Sequence, residues 1–554
     1  MIEEKILYIK NLFLEKKYSE IISLIEEIDK KNNLTAQLYN ILGASITLKE
    51  NPDKRNDVSL AIECFRKGYL KEKNTKQGLE ALTNFINLSL NLYQYKDSII
   101  YFKEAHNFFG YNQELFWAMS KVYKYLNDID QTIYFLEQLI KNNDNSIPTW
   151  CSYIYFNSFK KDWSQKSYLE YAKTLSQKLP LYSQDKLINI KKTKCEKIKL
   201  AFLSGDIKKK HSVTYFLKTI LNYVDKEKYE LLLFSTSKSS EEDETTDRFK
   251  KIFDTWININ NLNDIKAINL IRDKKIDIII DLMGITSSNR ITLFKNRLAP
   301  TQISWMGYCN TTGLSEMDYI VSDPNLIKKE EQSLYSEKVI TLANIWNCHS
   351  GFNLKRNLFQ APGINNEYIT FGSFNNYNKI SDEVVRTWSE ILKKVNKSKL
   401  LLKSSLPHDV MRLKKKFENY GVIDSIIFTE RKENFEDHLN LYKEIDIALD
   451  TFPYNGVTTS FEAIWMSVPV LTMKGFNFTS RCGESINKNI NMDYLTATDE
   501  NDYVLKAMEL SNSPEKLLSI KKKLFDDAPS SSLFNGQRFS TEFFKSLEKI
   551  YYNL

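Results

Sequence analysis

The sequence predicts an array of α-helical repeats followed by two doubly wound α/β domains, and three observations carry that expectation. Up to about Pro180, apolar residues recur at three- and four-residue steps with charges between them. After Lys191 the pattern becomes short, β-branched, nearly continuous apolar runs, the mark of parallel strands buried on both faces. Beyond residue 366 a second set of such runs begins, so two sheets in series are expected. The expected division is a helical repeat domain over 1–190, a first Rossmann-like lobe over 191–350 and a second over 351–554, joined around residues 345–366.

The helical part repeats itself. Ser98, Ile99 and Phe102 lie on one predicted helical face, and Thr132, Ile133 and Leu136 reproduce the pattern 34 residues later. Ala61, Ile62 and Phe65 form an earlier copy at a spacing of 37. Thirty-four is the period of the tetratricopeptide repeat, a helical hairpin whose small residue lets two helices touch. Such hairpins stack into curved arrays whose concave face holds a peptide, which points to protein recognition rather than chemistry.

In the α/β part, KIKLAFLSGD, YELLLFSTS and KIDIIIDLMG read as strands, separated by the amphipathic stretches SVTYFLKTILNYV and DIKAINLIRDK. EYITFGSF, SKLLLKSS, DSIIFTE, EIDIALDTF and VPVLTMKG form the second set. Strand C-termini and the loops after them are expected to face a cleft between the lobes, where open α/β sheets bind ligands.

Composition narrows the function. Hydrophobic residues at 42% and charged residues at 27% exclude disorder as the main state of these 554 residues. Lys+Arg 77 against Asp+Glu 70 leaves +7, too small an imbalance to argue for a nucleic-acid partner. No apolar run approaches the roughly 20 residues that cross a bilayer. The first residues are broken by charges and do not read as a signal peptide, so a cytoplasmic protein is expected. The six cysteines are far apart and lack metal-ligand spacing, which suggests reduced thiols, and with only five histidines a His-rich metal site is not expected.

Three loops could carry chemistry. In DTFPYNGVTTSFEAIW a strand runs into a loop with Pro453 and Gly456, and a helix is expected to start near Val457. Thr458, Thr459 and Ser460 then fall in its first turn, where free N–H groups and the helix dipole suit a phosphate. Glu462, a turn later, could accept hydrogen bonds from a ribose. The same triplet could simply cap the helix. In FGSFNNYNKISD, Asn375, Asn376 and Lys379 follow another strand, and the lysine could either neutralise a diphosphate or lie solvated in a loop. In LSGDIKKKHSVTYF, His211 follows the first strand of the first sheet and is the side chain suited to accept a proton near neutral pH, though a loop histidine is commonly plain surface. There is no GxGxxG after the first strand and no GKS/T loop, which weakens dinucleotide and P-loop readings.

Together with APTQISWMGYCNTTG, MDYIVSDP, YSEKVITL, SRCGES and SSLFNGQRF, these segments make the sequence resemble the O-linked N-acetylglucosamine transferases and the related SPINDLY-type O-fucosyltransferases. The resemblance covers nearly the whole chain. It implies tetratricopeptide repeats ahead of a GT-B glycosyltransferase, which moves one sugar from a nucleotide-sugar to Ser or Thr hydroxyls of proteins, with inversion and without a bound metal. By matched position it implies that Lys379 holds the diphosphate with Thr458 and Thr459, that Asn376 falls where the family has a Gln near the phosphates, and that Glu462 binds ribose. His438 matches a histidine close to the nucleotide, and His211 one near the reacting centre. Met306, Gly307 and Tyr308 would line the sugar and acceptor side.

Several positions depart from the family. One extra residue separates Asp206 from His211. Ile285 stands where bacterial relatives often place a histidine, and Asn269 where a proton-handling carboxylate is proposed. The family's His-Thr-Thr is Val457-Thr458-Thr459 here. Phe435 stands where a lysine can lie over uracil, and an aromatic there could stack on a base. UDP-GlcNAc is the first expectation for the donor, with GDP-fucose next. A catalytically inactive repeat scaffold, or an enzyme acting on a lipid or small glycan, are the other readings. The implied partners are a protein acceptor held by the repeats and the nucleotide-sugar; the oligomeric state stays open.

Overall fold

A computed structural model describes residues 2–29, 34–49, 55–92, 95–182, 196–209, 211–352, 354, 356, 363, 368–403, 406–430, 432 and 434–552. Cys195 and Lys210 lie outside the described residues. The chain forms two compact units, 1–153 and 154–554.

The first unit is helical and repetitive, as the period predicts. Its helices include Asn56–Lys71, Lys76–Ser89, Lys96–Phe109, Gln113–Tyr125 and Ile129–Lys141. The small residues that mark the repeat are shut away at helix contacts: Ala61, Ser98 and Thr132 are buried, with Phe65, Phe102 and Leu136 beside them on the inward faces. Ser98 Oγ meets Ser89 Oγ at 3.0 Å, so even the polar atom of this contact has a partner. The turns use the expected chemistry, since the Thr75, Asn112 and Asp128 side chains each accept an N–H of the helix that follows.

The second unit holds two parallel sheets. In the first, strands β1 (Ile198–Ser204), β2 (Tyr229–Ser235), β3 (Thr255–Asn258), β4 (Ile278–Asp281), β5 (Thr301–Ser304), β6 (Tyr319–Ser322) and β7 (Lys338–Thr341) lie in the order β3-β2-β1-β4-β5-β6-β7. In the second, β8 (Ile369–Ser373), β9 (Ser398–Lys403), β10 (Ile426–Thr429), β11 (Ile447–Leu449), β12 (Val470–Met473) and β13 (Thr496–Ala497) lie in the order β10-β9-β8-β11-β12-β13. This is the GT-B pairing of two Rossmann-like lobes. Each sheet winds outward from a switch point, β1/β4 in one lobe and β8/β11 in the other, and a crevice opens beyond the strand ends there.

Two boundaries differ from the sequence expectation. The helix Gln165–Lys178, grouped with the repeats at 1–190, belongs to the second unit. Its Gln165 side chain exchanges hydrogen bonds with Asn310 (2.8 and 3.1 Å) and donates to the Leu334 carbonyl (3.2 Å). Gly313, at φ +74°, lets the loop after β5 press on this helix: a Cβ there would lie 2.3 Å from the Ala172 carbonyl carbon. Helical periodicity alone does not say which core a helix joins. The lobe expected over 351–554 also loses its end. The last helix, Gly536–Tyr552, packs on the first-lobe helix Ser212–Leu221, and the Tyr229 hydroxyl donates to the Phe544 carbonyl at 3.3 Å.

Among the described residues no helix is long and apolar enough to cross a membrane.

Candidate active site

The loops leaving the two switch points face one another. In the second lobe, β11 is followed directly by Asp450, a buried carboxylate that organises the loop after it. Its Oδ1 accepts the N–H of Gly456 (2.7 Å) and of Thr451 (2.9 Å) and the Asn375 amide (3.1 Å), while Oδ2 accepts the Thr472 hydroxyl (2.7 Å). Burial pushes this carboxyl up, and these donors with the nearby Lys379 ammonium oppose the shift. The loop 451–457 is thereby folded back on its own strand and delivers the helix Thr458–Trp465 with its start towards the crevice. Gly456 is required at this point, since a Cβ would stand 2.6 Å from both Asn375 Oδ1 and Thr459 Oγ1.

No side chain caps that helix: Val457 occupies the cap position and offers no acceptor. The Thr459 hydroxyl turns instead to Asn375 Oδ1 (2.7 Å). A helix start without a side-chain cap, with hydroxyls on its first turn, suits an external anion. The alternative reading of the triplet as a plain cap therefore loses its support.

Lys379 ends the short turn Tyr377–Lys379 after β8. Its ammonium donates to the Asn455 carbonyl at 2.8 Å, the residue before Gly456, and sits 4.5 Å from the Tyr454 ring centroid. It is half-buried rather than a solvated loop lysine. Desolvation lowers its pKa, while Asp450 pulls it back up. Asn376 goes elsewhere: it is exposed and accepts the N–H of Asn378 at 3.0 Å, so its neighbour Asn375 is the asparagine built into the site.

A cavity of about 320 Å³ lies against this helix start, and both lobes line it. The second lobe supplies Lys403, Lys432, Asn434, Phe435, His438, Thr458 and Glu462; the first supplies His211, Ser212 and Tyr215. His438 Nε2 and the Tyr442 hydroxyl both lie 3.0 Å from Glu462 Oε2, and Tyr442 also donates to the Thr459 carbonyl at 3.1 Å. Phe435 stacks on Tyr215 across the lobes, centroids 5.6 Å apart and planes at 27°. Beyond that pair lies a wider hollow of about 610 Å³ bordered by Lys208, Lys209, Lys218 and Arg248.

His211 reaches the cavity despite the extra residue before it. The Thr214 hydroxyl ties the loop by donating to the carbonyls of Lys208 (2.9 Å) and His211 (2.6 Å). The imidazole Nε2 stands 3.4 Å from Asp206 Oδ1, and Nδ1 is buried without a partner. Burial lowers the His211 pKa and the Asp206 carboxylate opposes that; the same burial raises Asp206.

Met306, Gly307 and Tyr308 follow β5, and none of the three lines the cavity. Met306 takes a left-handed φ of +71°, and a Cβ at Gly307 would fall 1.7 Å from the Leu282 carbonyl oxygen. Tyr308 is buried against the rings of Tyr155 and Tyr168, and does not line the cavity. Ile285 is buried, and Asn269 is exposed on the helix Asp264–Asp273. Sequence reasoning missed Tyr215, Tyr442 and Asp450. The one available signal was position, Asp450 at a strand C-terminus and Tyr442 one turn after His438.

The two Rossmann-like lobes, with switch points facing one crevice, make the frame of a glycosyltransferase of GT-B type. The description "Glycosyl transferase family 41" matches residues 135–360 and 355–543, and the chain belongs to that family. Among curated proteins it is 30% identical over 352 residues to the "Probable UDP-N-acetylglucosamine–peptide N-acetylglucosaminyltransferase SPINDLY" of Solanum lycopersicum, which covers 62% of this chain and 37% of that protein. It is 32% identical over 356 residues to the rice (Oryza sativa subsp. japonica) protein of the same name, with 62% and 37% covered. The chain thus spans little more than a third of the length of these relatives. Among solved structures, a lysine-to-methionine variant of Thermobaculum terrenum O-GlcNAc transferase shares the fold at a TM-score of 0.78 and 23% identity, over 90% of this chain and 94% of that one.

Replacing Asp450 with Ala strands the Thr451 and Gly456 N–H groups, the Asn375 amide and the Thr472 hydroxyl, each worth roughly 1–3 kcal/mol when unsatisfied. Chemical denaturation is expected to show a loss of at least about 2 kcal/mol, and Asp450→Asn, which keeps one acceptor oxygen, a smaller one.

Proposed function

We propose that this protein is an inverting, metal-independent transferase that moves N-acetylglucosamine from UDP-GlcNAc onto Ser or Thr hydroxyls of proteins, with the repeats holding the acceptor. The observation that carries the reading is the Lys379 ammonium fastened to the loop that ends at the uncapped helix start. Breaking the sugar–phosphate bond leaves negative charge on the diphosphate and positive charge on the anomeric carbon. Lys379, the first-turn N–H groups and the Thr458 and Thr459 hydroxyls would stabilise the departing diphosphate, the work a divalent cation does elsewhere. Glu462, held by His438 and Tyr442, would take the ribose hydroxyls, and Phe435 would flank the base.

The acceptor oxygen attacks the anomeric carbon from the side opposite the diphosphate. The new C–O bond forms as the C–O bond to phosphate breaks, which inverts the configuration. His211 would receive the hydroxyl proton. With Nε2 directed at Asp206, the proton on that nitrogen is held by the carboxylate and Nδ1 keeps its lone pair. The names of the SPINDLY relatives support the protein acceptor and the UDP-GlcNAc donor.

The reading is tested with a panel of nucleotide-sugars, scoring sugar transfer to protein and thermal shift. UDP and UDP-GlcNAc are expected to stabilise the protein, GDP and GDP-fucose not, and a chelator is expected to leave turnover intact. Lys379→Ala is expected to lower turnover about 100-fold or more, close to 3 kcal/mol in the transition state. Retention of more than about a tenth of the rate would remove Lys379 from the reaction. A shift with GDP alone would move the donor to the fucose class.

A base must be neutral, so the rate falls as pH drops through the His211 pKa. Because burial lowers that pKa, the acid limb of kcat/KM is expected below the ordinary histidine value of about 6.5. His211→Asn is expected to reduce kcat and abolish the limb. An unchanged limb in the variant assigns it to another group.

A further inference from the structure

The segment 154–164 does more than lead into the two lobes. Its Phe159 is buried and stacks on the Tyr454 ring, with centroids 4.9 Å apart and planes at 22°. The Tyr155 ring meets Phe159 edge-on, at 5.2 Å and 80°. Tyr454 in turn presents its ring to Lys379, whose Nζ stands 4.5 Å from the centroid. A row of three rings, Tyr155, Phe159 and Tyr454, therefore ends on the ammonium.

The row is tied at both ends. Around Phe159 the backbone closes a turn, with the Phe159 N–H donating to the Phe156 carbonyl (3.2 Å) and the Lys160 N–H to the Asn157 carbonyl (3.0 Å). Just beyond, Lys161 donates to Glu500 of the second lobe at 2.7 Å, and Gln165 reaches Asn310 and the Leu334 carbonyl of the first. At the far end the Tyr454 carbonyl accepts the Thr451 hydroxyl at 2.8 Å. Asn455 donates to the Thr451 carbonyl (2.9 Å) and accepts the Gly483 N–H (3.1 Å). These bonds fix the backbone of 454–455, and with it the carbonyl that Lys379 uses. They do not fix the Tyr454 ring, which rests on Phe159. An aromatic face suits this place, since it attracts a cation through its quadrupole and carries no charge of its own.

We infer that Phe159 and Tyr454 are positioning residues for sugar transfer: the stacked pair holds the Lys379 ammonium where the diphosphate departs. The inference rests on the reading of Lys379 given above. It moves the segment 154–164, which helical periodicity groups with a recognition arm, into the support of the reacting centre.

The test follows release of UDP from UDP-GlcNAc by the full chain, or of GDP from GDP-fucose where the donor panel selects that sugar. Tyr454→Leu and Phe159→Leu keep bulk and remove a ring. Each is expected to lower kcat about tenfold, with the donor KM changed by less than about threefold. Tyr454→Phe keeps the ring face and is expected to retain at least about half of kcat. Added to Lys379→Ala, Tyr454→Leu is expected to cost less than about twofold more, because the ring then has no ammonium to hold. A ring that serves only the fold would slow the double variant by about tenfold again, and that result overturns the inference. So does a wild-type kcat in Tyr454→Leu beside an impaired Lys379→Ala, or an equal loss in Tyr454→Leu and Tyr454→Phe. Should Phe159→Leu fail to fold, the half-buried Tyr454 carries the test by itself. Full turnover in Lys379→Ala alone would instead overturn the reading of the lysine.

Discussion

One buried carboxylate sets the geometry on which the rest depends. Asp450 sits at the end of a strand only three residues long, yet it receives hydrogen bonds from the following loop, from the β8 loop and from β12. A lone buried carboxylate would be costly; four donors make it a fixed node. Because Asn375 is one of them and Asn455 follows in the same loop, the lysine turn and the helix start are positioned by a single group. The site is thus assembled by an anion that is itself far too well satisfied to bind a ligand.

The remaining charges follow from that node. Lys379 is held by a carbonyl and an aromatic face, neither of which neutralises it. Its charge is opposed only by the Asp450 carboxylate, which is itself shared among four donors, and the positive end of the helix lies beside it. Glu462 is treated in the opposite way: His438 and Tyr442 converge on one carboxylate oxygen, which leaves the other to the cavity. From the facing lobe come His211, with its own carboxylate partner, and Tyr215, which closes the cavity by stacking on Phe435. Carboxylate, imidazole and aromatic wall come from separate elements of the two lobes, and only the pairing of two switch points brings them to one cavity.

Much of this was legible in the sequence. The strands that alternate with amphipathic helices were visible because parallel strands buried on both faces read as unbroken apolar runs. Strands β3, β5, β6, β7 and β13 were not read as strands; β5, for one, carries a buried Gln302 whose side chain bonds the Leu298 N–H and the Phe294 and Glu316 carbonyls. Thr458, Glu462, His438 and His211, singled out by motif position, border the cavity, whereas Lys379, singled out in the same way, is not among the residues that line it. Asn375 was not separated from Asn376, because adjacent identical residues on a turn point opposite ways and only the backbone says which faces inward. Tyr215 escaped notice since its stacking on Phe435 joins elements distant in sequence, and Asp450 since two of its four donors, Asn375 and Thr472, come from other strands and loops. The helix Gln165–Lys178 was placed with the wrong core for the same reason.

The account stands on where a diphosphate sits. A crystal structure of the protein with UDP measures it directly. The prediction is a β-phosphate oxygen within about 3 Å of Lys379 Nζ and of the N–H groups of Thr458 or Thr459, with the ribose at Glu462. A diphosphate lodged instead in the wider hollow among Lys208, Lys209, Lys218 and Arg248, with Lys379 still turned to the Asn455 carbonyl, would contradict it.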